Sequence, residues 1–143
     1  MTIDKIITIL SEENCSLVVR NTSGEISTYN KRGVRDLIWL LDNEPEQLIG
    51  ADIADKIVGK AAAGLIVNAN VNSLYAVVIS KPAIDVLNKA NITYRFNTLV
   101  DKIVVPEGDS RCRLEDIVKD ATSPIEIELM LRQHFNEMQT KTT

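Results

Sequence analysis

The sequence predicts an α/β domain whose central strand is covered by helices on both faces, and three observations lead there. Cys15–Arg20 and Glu25–Tyr29 are β-rich runs on either side of Asn21-Thr22-Ser23-Gly24, the pattern of a hairpin. Leu74–Ser80 is apolar without polar alternation, as expected of a strand with no solvated face. Around these runs lie segments whose apolar residues recur at helical spacing. A chain of 143 residues is long enough to bury a core without staples, so one domain is expected over 1–143. With 45% hydrophobic but only 4% aromatic residues, its core must be built from Ile, Val, Leu and Ala.

The elements follow in order. Thr2 can cap a first helix whose Ile3, Ile6, Ile7 and Leu10 share a face. The hairpin supplies the first two strands. Gly33 opens a helix carrying Val34, Leu37, Ile38 and Leu41, with Trp39 off that stripe, and Asp42-Asn43-Glu44-Pro45 ends it. An alanine-rich helix is expected from Asp52 towards Asn68, and its lack of bulk requires it to lie close to whatever it packs on. Asn68–Ser73 is a polar turn before the strand Leu74–Ser80. Pro82 suits the first turn of a helix carrying Ala83, Val86, Leu87 and Ala90, with Asn91 as a left-handed C-terminal residue.

Alternation resumes at Ile92–Phe96, and Lys102–Val105 is read as its continuation or as a further strand. Pro106-Glu107-Gly108-Asp109 is a turn, followed by a short helix containing Leu114, Ile117 and Val118. The last helix has the clearest start, because Ser123, Pro124 and Glu126 fit N-cap, N1 and N3 of a capping box.

Charge and cysteine content narrow the function classes. The net charge of −4 gives no general attraction to a polyanion, which disfavours nucleic acid as a partner. Cys15 and Cys112 are expected to be free thiols of a reducing compartment, and a cytoplasmic location follows. The N-terminus lacks the basic start and cleavage site of a signal peptide, and no apolar run is long enough to span a bilayer.

Candidate chemistry concentrates in two segments. In the first, Asp55, Lys56 and Lys60 are charges set beside small residues. Lys56 and Lys60 lie one helical turn apart, a like-charge spacing that an anion would relieve, although an Asp52–Lys56 ion pair and a solvated Lys60 explain it as well. Gly59-Lys60 is not a phosphate-binding P-loop, since its first glycine would fall at Ala54 and its magnesium ligand at Ala61. In the second segment, Cys112 lies between Arg111 and Arg113 at a helix start, a setting that favours a thiolate. Glu115, three residues on, reads most simply as a cap reaching back to the amide of residue 112. His134 is the sole histidine, with no partner group for a histidine-dependent site.

Ala54–Ala63, Tyr75–Ser80 and Cys112-Arg113-Leu114-Glu115 together resemble a small uncharacterised prokaryotic family, a domain of unknown function within the cytidine deaminase-like fold. The resemblance covers roughly residues 14–120 and leaves the first and last helices as additions. It implies a three-layer α/β/α sandwich around a mixed sheet, with a pocket where two helix N-termini converge. Active zinc deaminases place a His or Cys and a catalytic Glu at the helix before the third strand, and Pro-Cys-x-x-Cys at the next. This chain keeps one thiol, at Cys112, and has a carboxylate, Glu115, where the second belongs. Three protein ligands are needed for catalytic zinc, so no metal and no cofactor are expected.

The expected function is therefore binding of a small polar or anionic ligand in a degenerate deaminase pocket lined by Asp55, Lys56, Lys60, Cys112 and Glu115. The alternatives are a metal-independent enzyme using Cys112 with Lys60 and either Asp55 or Glu115, and a structural interaction module. A homo-oligomer is compatible with all three.

Overall fold

A strand that the sequence conceals decides the architecture. The structure is a computed structural model that describes residues 2–31, 34–104 and 111–142. Asp52–Val58 is not the first half of a helix but a strand, and the helix begins only at Lys60. Asp52–Val58 holds only one alanine, Ala54, beside the β-branched Ile53, Ile57 and Val58, and it is bonded on both sides and buried on both faces; the alanine-rich run that suggests a helix starts after it. The strand consequently shows no alternation that a sequence reading could use.

The elements in order are α1 (Thr2–Glu12), β1 (Leu17–Arg20), β2 (Ile26–Tyr29), α2 (Arg35–Asn43), a 3-10 turn (Pro45–Gln47), β3 (Asp52–Val58), α3 (Lys60–Asn68), β4 (Ser73–Ser80), α4 (Lys81–Lys89), β5 (Thr93–Val100), α5 (Arg111–Val118) and α6 (Pro124–Thr142). One five-stranded mixed sheet runs in the order β2-β1-β3-β4-β5. Strand β1 is antiparallel to both neighbours, with Leu17 opposite Tyr29 on one side and Asp55 on the other. Strands β3, β4 and β5 are parallel, joined through α3 and α4.

Adjacent residues of β1 and β3 enter different cores, which places helices on both faces of the sheet. Val19 and Ile53 belong to the larger core, with Leu37 and Leu40 of α2, Leu65 of α3, Leu87 of α4, Leu114 of α5 and Leu131 of α6. Val18 and Ala54 belong to the smaller core, with Ile6 and Leu10 of α1 and Cys15. Among the described residues, α1 is the one helix that contributes to the smaller core.

Small residues in α3 do bring it close to its neighbours. A methyl added at Gly64 would come within 3.0 Å of three atoms of Ile127 in α6. Burial of a side chain such as Ile127 is worth about 1.5–3 kcal/mol, and the glycine is what lets α6 deliver it there. Asn70 and Asn91 end the two crossovers with φ of 60° and 59°, the left-handed conformation that asparagine tolerates.

Other expectations meet the structure in detail. Ser123 caps α6 by accepting the Glu126 N–H at 3.1 Å, and Glu126 Oε1 accepts the Thr122 N–H at 2.9 Å. The reciprocal bond therefore lands one residue before the expected amide. Trp39 is exposed, as its position off the stripe predicts. Strand β5 ends at Val100, and Asp101–Val104 is not strand, so Lys102–Val104 neither continues it nor forms another. Gly33, Val105 and the turn Pro106–Asp109 lie outside the described residues. Among the described residues, no helix is long and apolar enough to cross a membrane.

Candidate functional site

Helix α3 starts at the C-terminal end of parallel strand β3, the edge of an open α/β sheet at which ligands characteristically bind. Its N-cap, Gly59, has no side chain with which to satisfy the free amides of the first turn. Glu115 of α5 supplies the missing acceptors. Lys60 N–H donates to Glu115 Oε1 at 2.7 Å and Ala61 N–H donates to Oε2 at 3.0 Å, so both carboxylate oxygens are held by the helix start.

The absence of a Cβ at residue 59 is a condition of this contact. A methyl there would fall within 3.0 Å of the Glu115 carboxyl carbon and both its oxygens. Backbone strain plays no part, because Gly59 has an ordinary extended conformation, φ −100° and ψ −172°.

Lys60 completes a reciprocal arrangement. Its Nζ donates to the Lys119 carbonyl at 2.8 Å and the Ala121 carbonyl at 2.7 Å, just beyond the end of α5. A cation thus sits at the negative end of α5 while a carboxylate from α5 sits at the positive end of α3. Burial pushes the Glu115 carboxyl above its ordinary range, and the Ala61 and Lys60 amides, with the Lys60 charge, oppose that rise.

Around Glu115 a cavity of about 20 Å³ remains, lined by Val34, Ile57, Gly59, Ala62, Ile103 and Leu114 among others. That is room for about one water molecule. Ile103 reaches it from the segment after β5, and Val34 from the start of α2. Near the start of α2, buried Asp36 accepts the Lys31 N–H at 2.9 Å, and desolvation raises its carboxyl despite that bond and the Lys31 charge. On the other side of the site, Lys60 borders a groove of about 280 Å³ between α4 and the start of α6, with Asp85 and Lys89 in its walls.

Of the five residues singled out from sequence, the structure joins Lys60 to Glu115. Asp55 and Lys56 are on β3, not on a helix, and so the supposed one-turn spacing of Lys56 from Lys60 disappears. Lys56 shares the side-chain parity of Ala54, which faces α1, and its charge is felt by Cys15 in that layer. It therefore lies across the sheet from Glu115. Asp55 is buried and accepts the Ile57 N–H at 3.3 Å, but it does not line the cavity beside Glu115. The supposed Asp52–Lys56 pair is replaced by bonds from Asn72 and Ser73 to the Asp52 carboxylate.

Cys112 is in the first turn of α5, as expected, while its thiol lies outside the described side chains. Glu115 is a cap, but of a different helix from the one expected: it reaches α3 and not the start of its own helix. Sequence reasoning missed Gly59, Val34 and Ile103 as parts of the site. A glycine two residues before the run Ala61-Ala62-Ala63, with no side chain of its own to cap the helix, was the available signal. Among the described residues, no group of three or more His, Cys, Asp and Glu is arranged to hold a metal ion.

Comparison with known proteins gives a family but no activity. A family model described as a domain of unknown function, DUF1893 (TM1506), matches residues 5–135. The crystal structure of a DUF1893 family protein from Thermotoga maritima is similar, with TM-score 0.80 and 25% identity over 92% of this chain and 89% of the other. No curated protein matches the chain.

Proposed function

We propose, for a chain that belongs to the DUF1893 family of domains of unknown function, a non-catalytic binding role in which a small anionic ligand exchanges with the Glu115 carboxylate at the start of α3. The observation that carries this reading is the two-point hold on that carboxylate by the Lys60 and Ala61 amides, at 2.7 and 3.0 Å. Carboxylate and phosphate present the same acceptor chemistry to such a helix start. The ligand position is thus occupied in the resting state by a group of the chain itself.

The cytidine deaminase-like reading of the fold supports this location. In zinc deaminases the ligand-bearing helices are the one before the third strand and the one after it. By the element order observed, these correspond to α2 and α3, whose starts meet at the cavity lined by Val34, Gly59 and Ala62. Reading Asp52–Val58 as helix places the first of these positions within 52–68, whereas Cys112 is matched to the second by its motif resemblance alone. Residues 34–38 and 59–64 contain neither His nor Cys, so the residues present do not fit zinc.

A second reading has its own support. The hold of Lys60 on the Lys119 and Ala121 carbonyls fastens α5 from the opposite direction, which suits a structural module whose interlock never opens. Amide chemical shifts separate the two. Orthophosphate and acetate added to the wild-type protein should shift Lys60 and Ala61. Glu115→Gln should bind phosphate roughly tenfold tighter or more, if the plug leaves the site open a tenth of the time or less. Silence of both amides in both proteins, with the Glu115→Gln fold intact, would leave the structural module as the function.

A further inference from the structure

The two edges of the sheet are unequal. Strand β2 has four residues, mostly half-buried, whereas β5 has eight, of which six are exposed. Beyond β4, β5 has no strand neighbour among the described residues. Its exposure extends to both faces: Phe96 is 39% and Leu99 43% exposed, and their positions have opposite parity. Such an edge presents a row of backbone donors and acceptors to any strand of matching length.

Among the described residues, most of the devices that usually block an edge are missing. Thr93–Val100 contains no Pro and no Lys. Its pairing with β4 keeps one offset from Ser73↔Thr93 to Ser80↔Val100, so there is no bulge. Arg95 is its only charge, and that guanidinium lies 3.9 Å from Asp4 of α1.

We propose that this edge is a self-association surface, on which β5 of a second copy pairs antiparallel to make a closed two-fold dimer with one continuous sheet. A two-fold axis perpendicular to the sheet reverses strand direction and keeps each face on its own side. Opposed residues must then share parity, which the registers centred on Phe96 or on Asn97 satisfy. In the first, Arg95 faces Asn97 of the second copy; in the second it faces Leu99, so like charges never meet. Pairing of β5 with β2 of another copy would join strands of unequal length and leave free edges that propagate into a filament. Self-pairing of β5 satisfies both long edges at once.

Sedimentation equilibrium across a dilution series tests the proposal, with the wild-type mass expected to fall from two chains to one. Phe96→Lys and Leu99→Lys alter exposed side chains, so each should keep the native circular dichroism while shifting the mass to a single chain. Directly opposed antiparallel residues have Cα atoms about 4.5–5.5 Å apart, within disulfide reach. In a Cys112→Ser chain, either Phe96→Cys or Asn97→Cys should therefore cross-link to itself on oxidation and so identify the register. A wild-type monomer at every concentration would overturn the proposal. So would a dimer that survives both lysine variants while neither cysteine variant cross-links, or a mass that grows beyond two chains.

Discussion

Replacing Gly59 with alanine changes one methyl, and its effect should depend almost entirely on a side chain 56 positions away. The added Cβ would lie within 3.0 Å of the Glu115 carboxyl group, which therefore has to leave the Lys60 and Ala61 amides. Hydrogen bonds to a charged group are worth about 1.5–3 kcal/mol each. One water entering the 20 Å³ cavity recovers part of that, so we expect Glu115→Ala to lose about 2–4 kcal/mol in all. Gly59 has a conformation that alanine adopts freely, and restriction of the unfolded chain stabilises by about 0.4–1 kcal/mol. Gly59→Ala alone should thus lose about 1–3 kcal/mol net. In a Glu115→Ala background the same change should be neutral or stabilising by up to about 1 kcal/mol. Urea denaturation of the four proteins closes the cycle, with a coupling of about 2–4 kcal/mol between residues 59 and 115, since the gain from restricting the unfolded chain is the same in both backgrounds. Equal losses from Gly59→Ala in both backgrounds would refute the reasoning, because the methyl would then be destabilising for a reason unrelated to the carboxylate.

Gly64→Ala should destabilise by about 1–2 kcal/mol, overpacking against Ile127 outweighing the helix propensity gained, and Ile127→Ala should remove that sensitivity in a denaturation cycle. Glu115 binds its proton more readily in the folded than in the unfolded protein, so its contribution is largest below the ordinary glutamate pKa of about 4.3 and declines as pH rises through the folded value. The stability difference between wild type and Glu115→Gln, followed by denaturation against pH, should therefore move against the wild type as pH rises; movement in its favour would contradict the assigned cause. Cys15 is buried beneath α1, and burial followed by the nearby Glu13 charge raises its thiol, so native-state alkylation should be slow and should accelerate only when α1 opens. Fast alkylation at a rate independent of denaturant would place that thiol at the surface.

Much of the fold was legible because amphipathic helices and a capped start leave local marks. The stripe in α1, the Asn21–Gly24 hairpin, the unalternated β4 and the Ser123-Pro124-Glu126 start of α6 all reappear as elements. Strand β3 left no such mark. Asp52–Val58 is bonded to β1 and β4 and covered by both layers, so neither alternation nor an exposed face distinguished it from the alanine-rich helix that follows. One topological argument was available: parallel strands need a crossover between them, and Leu74–Ser80 required an earlier strand to pair with. The site was legible in its composition but not in its connections. Lys60 and Glu115 were both marked by their setting, yet their pairing depends on the return of α5 to the start of α3, which no local pattern encodes. Lys56 was misplaced for the same reason as β3, since a strand sends alternate side chains to opposite faces.

The exchange of Glu115 for an external anion is tested most directly at the carboxyl carbon itself. A carbon-detected NMR titration of Glu115, with and without saturating orthophosphate, reports whether that group leaves the α3 amides. Without phosphate its pKa should lie above the ordinary glutamate range, as burial requires. With phosphate bound, the released side chain should return to that range while the Lys60 and Ala61 amides shift. A Glu115 titration that stays the same at phosphate saturation would contradict the account, because the carboxylate would then be a fixed part of the fold.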